Sequence, residues 1–256
     1  MAFNGKVALI TGAGSGMGRL AAQRLGGEGA SVAALDISDE GLAGTAEASE
    51  NIQTWKVDVS DHQAVAAAVQ EVEAKLGPID RVVTAAAIMP FGKLLEQDVE
   101  QIHRLMAINY GGLVNVAKTT LPQMLERGRG DFISFSSMLG QMPTLLTGAY
   151  ASTKFAVSCF TEVLYHENRD RGVRFVCVCP PAVATPLVDQ ARATAWPKLL
   201  DENPFMEPGP VLDAIEESLE KGRFWVFPGG SAKLGWRMRR FLPNAVWKQV
   251  HKTEGW

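Results

Sequence analysis

Cysteine is scarce in this chain, three in 256 residues, and Cys159, Cys177 and Cys179 are too few and too clustered for a disulfide framework. Cys177-Val178-Cys179 stands in an otherwise plain apolar run with no ligand cluster beside it. Core packing is therefore preferred to a metal or redox role, and no metal is expected. No apolar run approaches ~18 residues, which argues against a membrane span. Charge of either sign is sparing: 21% of residues are charged and the net charge is -3, so no basic field exists to hold nucleic acid. Neither an internal repeat nor a low-complexity linker interrupts the sequence. From Met1 the chain enters a strand-like run within a few residues, without a basic segment leading into an apolar one. With so few thiols, the expected compartment is a reducing cytoplasm. What is present, 46% hydrophobic residues over 256 positions, suits a globular enzyme with one substantial α/β core.

The first informative stretch is an apolar β run at 6–10 that ends in Thr11-Gly12-Ala13-Gly14-Ser15-Gly16-Met17-Gly18. Leu20, Ala21, Leu25 and Ala30 then mark a helix whose end is signalled by Gly26, Gly27 and Gly29. A glycine motif alone would be an ordinary turn. Placed between a strand and a helix, it becomes a phosphate site, because glycines let a pyrophosphate approach exposed N–H groups at the positive end of the helix. A second strand, 31–36, ends in Asp36, 24 residues after Gly12. There a carboxylate meets the adenosine ribose, accepts from its hydroxyls and repels a 2′-phosphate, which favours NAD over NADP. Arg19 is the counterargument for NADP, but it lies inside the helix. A third strand, 52–57, leads to Asp58-Val59. Asp58 is open to two roles, bonding an adenine amino group or capping the helix after Ser60-Asp61.

Alternation continues with a helix through Val65, Val69, Val72 and Leu76 closed by Gly77-Pro78, then a strand at 79–84. Small residues, Ala85, Ala86 and Ala87, follow it and would let a flat ring lie against the backbone. A long helical region, 99–125, carries Asn109 and Asn115 between apolar positions, and a fifth strand, 131–135, delivers Ser136 and Ser137 to its carboxyl end. A helix over 148–171, a sixth strand at 173–178, a helix at 211–219 and a last strand at 224–227 complete the pattern. The expected fold is a single doubly wound, Rossmann-type parallel sheet with helices on both faces, occupying 1–230. Residues 184–208 show little periodicity and are expected to form a substrate loop.

Tyr150 and Lys154, four apart at the start of the 148–171 helix, share one helical face. By itself such a pair is most simply an exposed aromatic beside a solvated lysine. A cation that favours the phenolate would instead move a phenol from its usual ~10 toward the range of a general acid or base.

In sum these residues resemble the short-chain dehydrogenase/reductase family over nearly the whole chain, about 6–227. The features that match in order are Thr-Gly-x-x-x-Gly-x-Gly at 11–18, Asn109, Ser137 thirteen residues before the tyrosine, and Tyr150-x-x-x-Lys154. The resemblance implies Tyr150 as catalytic acid/base and Lys154 as the group that bonds the nicotinamide ribose and acidifies the phenol. Ser137 would orient the substrate carbonyl, and Asn109 would support a water-linked proton relay. Cofactor contacts implied with it are Gly12, Ser15, Gly16, Met17, Gly18, Asp36, Asp58, Val59, Ala85, Ala86, Tyr150, Lys154, Pro180, Val183 and Thr185. Two departures stand out. Thr84-Ala85-Ala86-Ala87 replaces the family's Asn-Asn-Ala-Gly, and Pro180-Pro181 replaces Pro-Gly, where the second proline fixes φ and removes an N–H.

Expected pocket positions are Met89, Met138, Leu139, Met142, Leu145, Ala182, Leu187 and Trp196, flanked by Ile88, Pro90, Leu146 and Val183. No cation among them is placed for a carboxylate or phosphate. The expected substrate is thus a small, neutral, hydrophobic alcohol or ketone, alicyclic, aromatic or steroid-like. An NADP-dependent carbonyl reductase and a catalytically silent dinucleotide-binding protein are the alternatives. The tail, 231–256, interleaves aromatic and basic residues, and Pro243 divides it into two amphipathic pieces. It is expected to pack on the same domain's substrate loop or on a neighbouring subunit, with membrane-surface contact set second. The family resemblance implies a homodimer or homotetramer.

Overall fold

The computed structural model describes Phe3, residues 5–202 and 204–256, with the backbone alone at 230–233. Met1, Asn203 and the side chains of 230–233, on which parts of the leader, loop and tail expectations fall, lie outside the described residues.

Seven strands, β1 (Val7–Thr11), β2 (Ser31–Asp36), β3 (Ile52–Lys56), β4 (Arg81–Thr84), β5 (Gly130–Phe135), β6 (Val173–Val178) and β7 (Trp225–Val226), form one parallel sheet in the order β3-β2-β1-β4-β5-β6-β7. Alternate side chains enter two cores. Val7, Leu9, Val82 and Phe132 face one layer, with α3 (His62–Leu76), α5 (Gly112–Arg127) and α6 (Gly148–Asn168). Ala8, Ile10, Val83 and Ile133 face the other, under α1 (Gly16–Gly27) and α8 (Pro208–Glu220). Burial on both faces is why these strands read as nearly continuous apolar runs. The order reverses between β1 and β4, where Thr11 pairs with Thr84. A crevice at the carboxyl ends on that line is where such sheets bind ligands.

At the opposite edge Arg81, 2% exposed, bonds Asp131 at 2.8 Å and also Glu216, while Arg174 closes on Asp131 at 2.6 Å. This network, buried at Arg81 and Asp131 and open at Arg174, ties β4, β5, β6 and α8 together at the amino ends of the strands, away from the ligand crevice.

Helix α2 spans Asp39–Ala46, with Asp39 and Glu40 in its first turn. Some local expectations change. Helix α3 is capped by Asp61, which accepts from the N–H groups of Gln63 and Ala64. Asp58 instead holds the N–H and hydroxyl of Ser60 at 2.9 and 2.7 Å. The long helical region is α4 (Val99–Met106) and α5 joined by a π-helical turn, Ala107–Gly111. The stretch 184–208 is not one irregular loop. Pro186 starts a short helix, α7 (Pro186–Arg192), at a position suited to proline, and Lys198–Asp201 forms a 3₁₀ turn. Elements of seven and four residues are too short to impose a visible period. The tail is α9 (Gly230–Phe241) and α10 (Pro243–Glu254). No described helix is long and apolar enough to cross a membrane.

Candidate active site

The glycine turn and the amino end of α1 open onto a cleft of about 240 Å³ lined by Gly12, Ser15, Gly16, Met17, Gly18, Asp36, Asp58, Val59, Ala85 and Ala86, among others. Gly12 has φ 67°, and a Cβ there would meet Ala86 N at 2.6 Å; one on Gly18 would meet Gly12 O at 2.2 Å. Close approach of these backbones requires glycine at both positions. Ser15, in extended conformation at the N-cap of α1, makes no side-chain cap bond. Its hydroxyl and the first helical N–H groups therefore face the cleft as an anion site. The residues present fit a dinucleotide: a glycine turn that admits no Cβ, uncapped N–H groups at α1, and the carboxylates Asp36 and Asp58 in the same cleft.

Asp36 accepts from Gly14 N at 2.8 Å and Ser38 N at 2.9 Å, which fixes the carboxylate at the tip of β2. Arg19 is tied elsewhere: its guanidinium donates to the carbonyls of Gly14 and Gly41 and to the hydroxyl of Thr45.

A larger cavity of about 620 Å³ adjoins the cleft, and Met17, Ala85, Ala87, Thr185 and Leu187 line both. Ser137, Tyr150 and Lys154 meet in its wall. Tyr150 is 4% exposed, and burial pushes its phenol well above the ordinary value; the neighbouring Ser137 hydroxyl acts in the opposite direction. Lys154 lies with its Nζ 5.7 Å from the centre of the phenol ring and donates to Phe135 O at 2.8 Å. Burial lowers its pKa to about 8, against a weaker opposing effect of Cys177 and Cys179. Desolvation is the largest influence on both groups, favouring the protonated phenol and weakening the cation.

The π-helical turn aims Asn109 at the end of β4. Its Nδ2 donates to Ile88 O and Thr153 Oγ1, both at 3.0 Å, and its Oδ1 accepts from Ile88 N at 2.9 Å. Between Asn109 and Lys154 lies a cavity of about 10 Å³, also lined by Thr11 and Thr84, roughly the room one water needs. Ser136, the neighbour of Ser137, also lines the large cavity, but its hydroxyl is engaged by Lys154 O at 2.9 Å and Ser158 Oγ at 2.7 Å. Of the departures, Thr84 reaches Ile133 O at 3.4 Å in place of an amide brace. Pro180 retains a structural carbonyl, accepting from Met138 N at 2.9 Å.

Met89, Met138, Leu139, Met142, Pro180, Ala182, Val183, Thr185, Leu187 and Trp196 all line the large cavity. Leu145, Leu146 and Pro90 do not line it. The chain turns after Thr144, with Leu146 in the left-handed region at φ 68°, and Pro143 and Thr144 take those places. Sequence reasoning missed Phe91, which packs edge-on to Tyr150 at 5.8 Å and stacks on Trp196 at 5.9 Å. It also missed Leu199 and Leu200. The tail supplies a further wall through Gly235, Met238, Ala245, Val246, Gln249 and Val250, a role its amphipathic pattern was compatible with but did not specify. Glu254, 8% exposed, fastens α10 to the 3₁₀ turn by accepting from Lys198 N at 3.2 Å and Leu199 N at 2.9 Å. Among the described residues no cluster of His, Cys, Asp or Glu could hold a metal ion.

Comparison with known proteins agrees with this geometry. The family model described as "short chain dehydrogenase" matches residues 6–196. The chain is similar to the 2-dehydro-3-deoxy-L-rhamnonate dehydrogenase (NAD(+)) of Sphingomonas sp. strain SKA58, 33% identical over 73% of this chain and 76% of the relative. It is also similar to the meso-2,3-butanediol dehydrogenase of Serratia marcescens, 33% identical over 77% of each chain. In structure it resembles a short chain dehydrogenase/reductase from Burkholderia phymatum, solved in complex with NAD, with TM-score 0.86 at 24% identity over 96% of both chains.

Proposed function

Because the chain belongs to the short-chain dehydrogenase family, and is thereby an oxidoreductase, we propose that it interconverts a neutral, lipophilic secondary alcohol and its ketone, with NAD as hydride carrier. The observation that carries this reading is the meeting of Ser137 and Tyr150 where the glycine-turn cleft of about 240 Å³ opens into a cavity of about 620 Å³ with largely apolar walls. NAD is preferred because Asp36 stands in the cleft while Arg19, the nearby candidate for a 2′-phosphate, is engaged by backbone carbonyls. The NAD(+) in the name of the Sphingomonas relative supports the same choice.

A bound nicotinamide supplies or accepts the hydride. Ser137 donates a hydrogen bond to the substrate oxygen, an interaction that strengthens as negative charge develops there. Tyr150, kept protonated by burial, gives its proton to that oxygen in reduction and must take one in oxidation. Lys154, with its pKa near 8, changes charge close to neutral pH, and the small cavity beside Asn109 offers a route by which a proton reaches it. Thr185, whose hydroxyl has only a 3.4 Å contact to Val183 O, is free to bond the carboxamide. The exposed apolar side chains Val99 and Met106 on α4 and Phe155 and Val163 on α6 support pairing with a second copy, as a homodimer or homotetramer.

The test is a titration with NADH and NADPH by nucleotide fluorescence, followed by turnover on a panel of alicyclic, aromatic and steroid-like alcohols and ketones. NADH should bind more tightly. Tyr150→Phe should retain binding while kcat falls about 10²–10⁴-fold. Tighter NADPH would reverse the cofactor assignment. Bound NADH without turnover on any substrate would favour a silent dinucleotide-binding protein.

A further inference from the structure

Helix α9 carries an apolar face that no other part of the described chain covers. Leu234, Met238 and Phe241 follow at i, i+4 and i+7, so they share one side of the helix, and Leu242 extends that side at its end. Their exposures are 61%, 44%, 74% and 56%. Trp236, on the opposite side, points inward and stacks on Phe227 with centroids 5.3 Å apart. This anchor turns the apolar row outward. Single exposed apolar residues are ordinary on a soluble protein, whereas a row on one helix marks a surface for contact.

Arg237 and Arg240 flank that row on the same helix; they, and Lys248 and Lys252 on α10, are exposed, and none is paired with an acid among the described residues. Residues 231–256 hold six basic residues and one acid, Glu254, in a chain whose net charge is -3. Glu254 is turned inward onto the amides of Lys198 and Leu199, and the exposed Glu202 meets the tail at Thr253 on α10, so α9 itself carries cations and no acid. Gly235 and Met238 of the same helix line the large cavity, which places the apolar row at the cavity's rim.

We propose that α9 docks on an anionic lipid surface, its apolar row entering the interface, its arginines meeting headgroups, and the rim of the cavity set against the acyl region. An exposed Leu/Met/Phe face flanked by unpaired arginines is the composition that lies in such an interface. Delivery of a lipophilic substrate from the lipid rests on the function proposed above; the docking itself does not.

Co-sedimentation of the full chain with phosphatidylglycerol vesicles, against phosphatidylcholine vesicles, tests this without any activity readout. Failure of the dehydrogenase reading would therefore leave the result unaffected. At low salt the chain should pellet with the anionic vesicles and be released as salt screens the arginines. Arg237→Gln with Arg240→Gln should lower the partition constant roughly 25-fold, taking about fivefold per arginine. Phe241→Glu with Leu242→Glu should abolish pelleting while circular dichroism and thermal melting stay near wild type. Absence of pelleting by the wild type at millimolar anionic lipid overturns the proposal, as does equal pelleting by both variants. If the glutamate variant instead reduces the sedimentation coefficient in lipid-free solution and the wild type ignores vesicles, the face joins two copies of the chain and the proposal fails.

Discussion

Replacing Lys154 by methionine separates the requirements of chemistry from those of folding. Lys154 is 3% exposed, and burial brings its pKa from 10.5 to about 8. At about 1.4 kcal/mol per pH unit, that displacement is a folding penalty of about 3 kcal/mol. Its sign follows from proton counts. Below pH 8 the lysine is charged in both folded and unfolded chains, and the penalty is paid in full. Between pH 8 and 10.5 the unfolded chain keeps the proton that the folded chain releases, so wild-type stability gains with rising pH, and above 10.5 the penalty is gone. Methionine carries no such penalty, but it abandons the 2.8 Å bond to Phe135 O, at a cost of about 1–3 kcal/mol if that carbonyl finds no other donor. At pH 7 the variant should therefore be as stable as wild type or up to about 2 kcal/mol more stable, while losing most of its turnover. The sharper readout is the pH dependence. Urea unfolding at pH 7.5, 9 and 10.5, wild type beside variant, should show the difference moving by about 3 kcal/mol in favour of wild type. A difference that stays constant over this range would refute the reasoning, because Lys154 would then not be desolvated as its surroundings indicate.

Ser136→Ala and Ser137→Ala should part company. Ser136 bonds Lys154 O and Ser158, so its loss should cost about 1–3 kcal/mol in denaturant unfolding with kcat nearly kept. Ser137→Ala should lower kcat about 10²–10³-fold with little change in stability. Glu254→Ala should free the turn at 198–201 from α10, raising KM for a bulky substrate about tenfold with kcat little altered and exposing the tail to limited proteolysis. An unchanged KM would mean that the tail does not shape the cavity in solution.

The parallel sheet was legible because each strand is a short apolar run between helical patterns, and burial on both faces leaves little room for another assignment. Boundaries moved by a few residues, as at 79–84, where pairing begins only at Arg81. Asp58 and Asp61 were less separable in the sequence. Either could cap a helix, and only the backbone direction at α3 gave the cap to Asp61. Leu145 was a reasonable pocket residue by composition, but the left-handed turn at Leu146 lies beside it and the cavity wall passes through Thr144 instead.

Tyr150, Lys154, Ser137 and the glycine turn were singled out in the sequence by their resemblance to a family pattern, and the fold brings the three side chains to the wall of one cavity that adjoins the glycine-turn cleft. Their energetics were not legible there. Linear sequence suggested a lysine acidifying a tyrosine, whereas the fold buries both so deeply that desolvation governs each. Desolvation is a property of surroundings assembled from distant segments, and so is what opposes it: Ser137 after β5 acts against it at Tyr150, and Cys177 and Cys179 at the end of β6 act against it at Lys154. For the same reason the cavity walls contributed by Phe91, Leu199 and Val246 emerged only when the tertiary structure brought them together. Local pattern singled out the groups proposed to carry the reaction, and three-dimensional packing decided how deeply they are desolvated and how large a cavity they face.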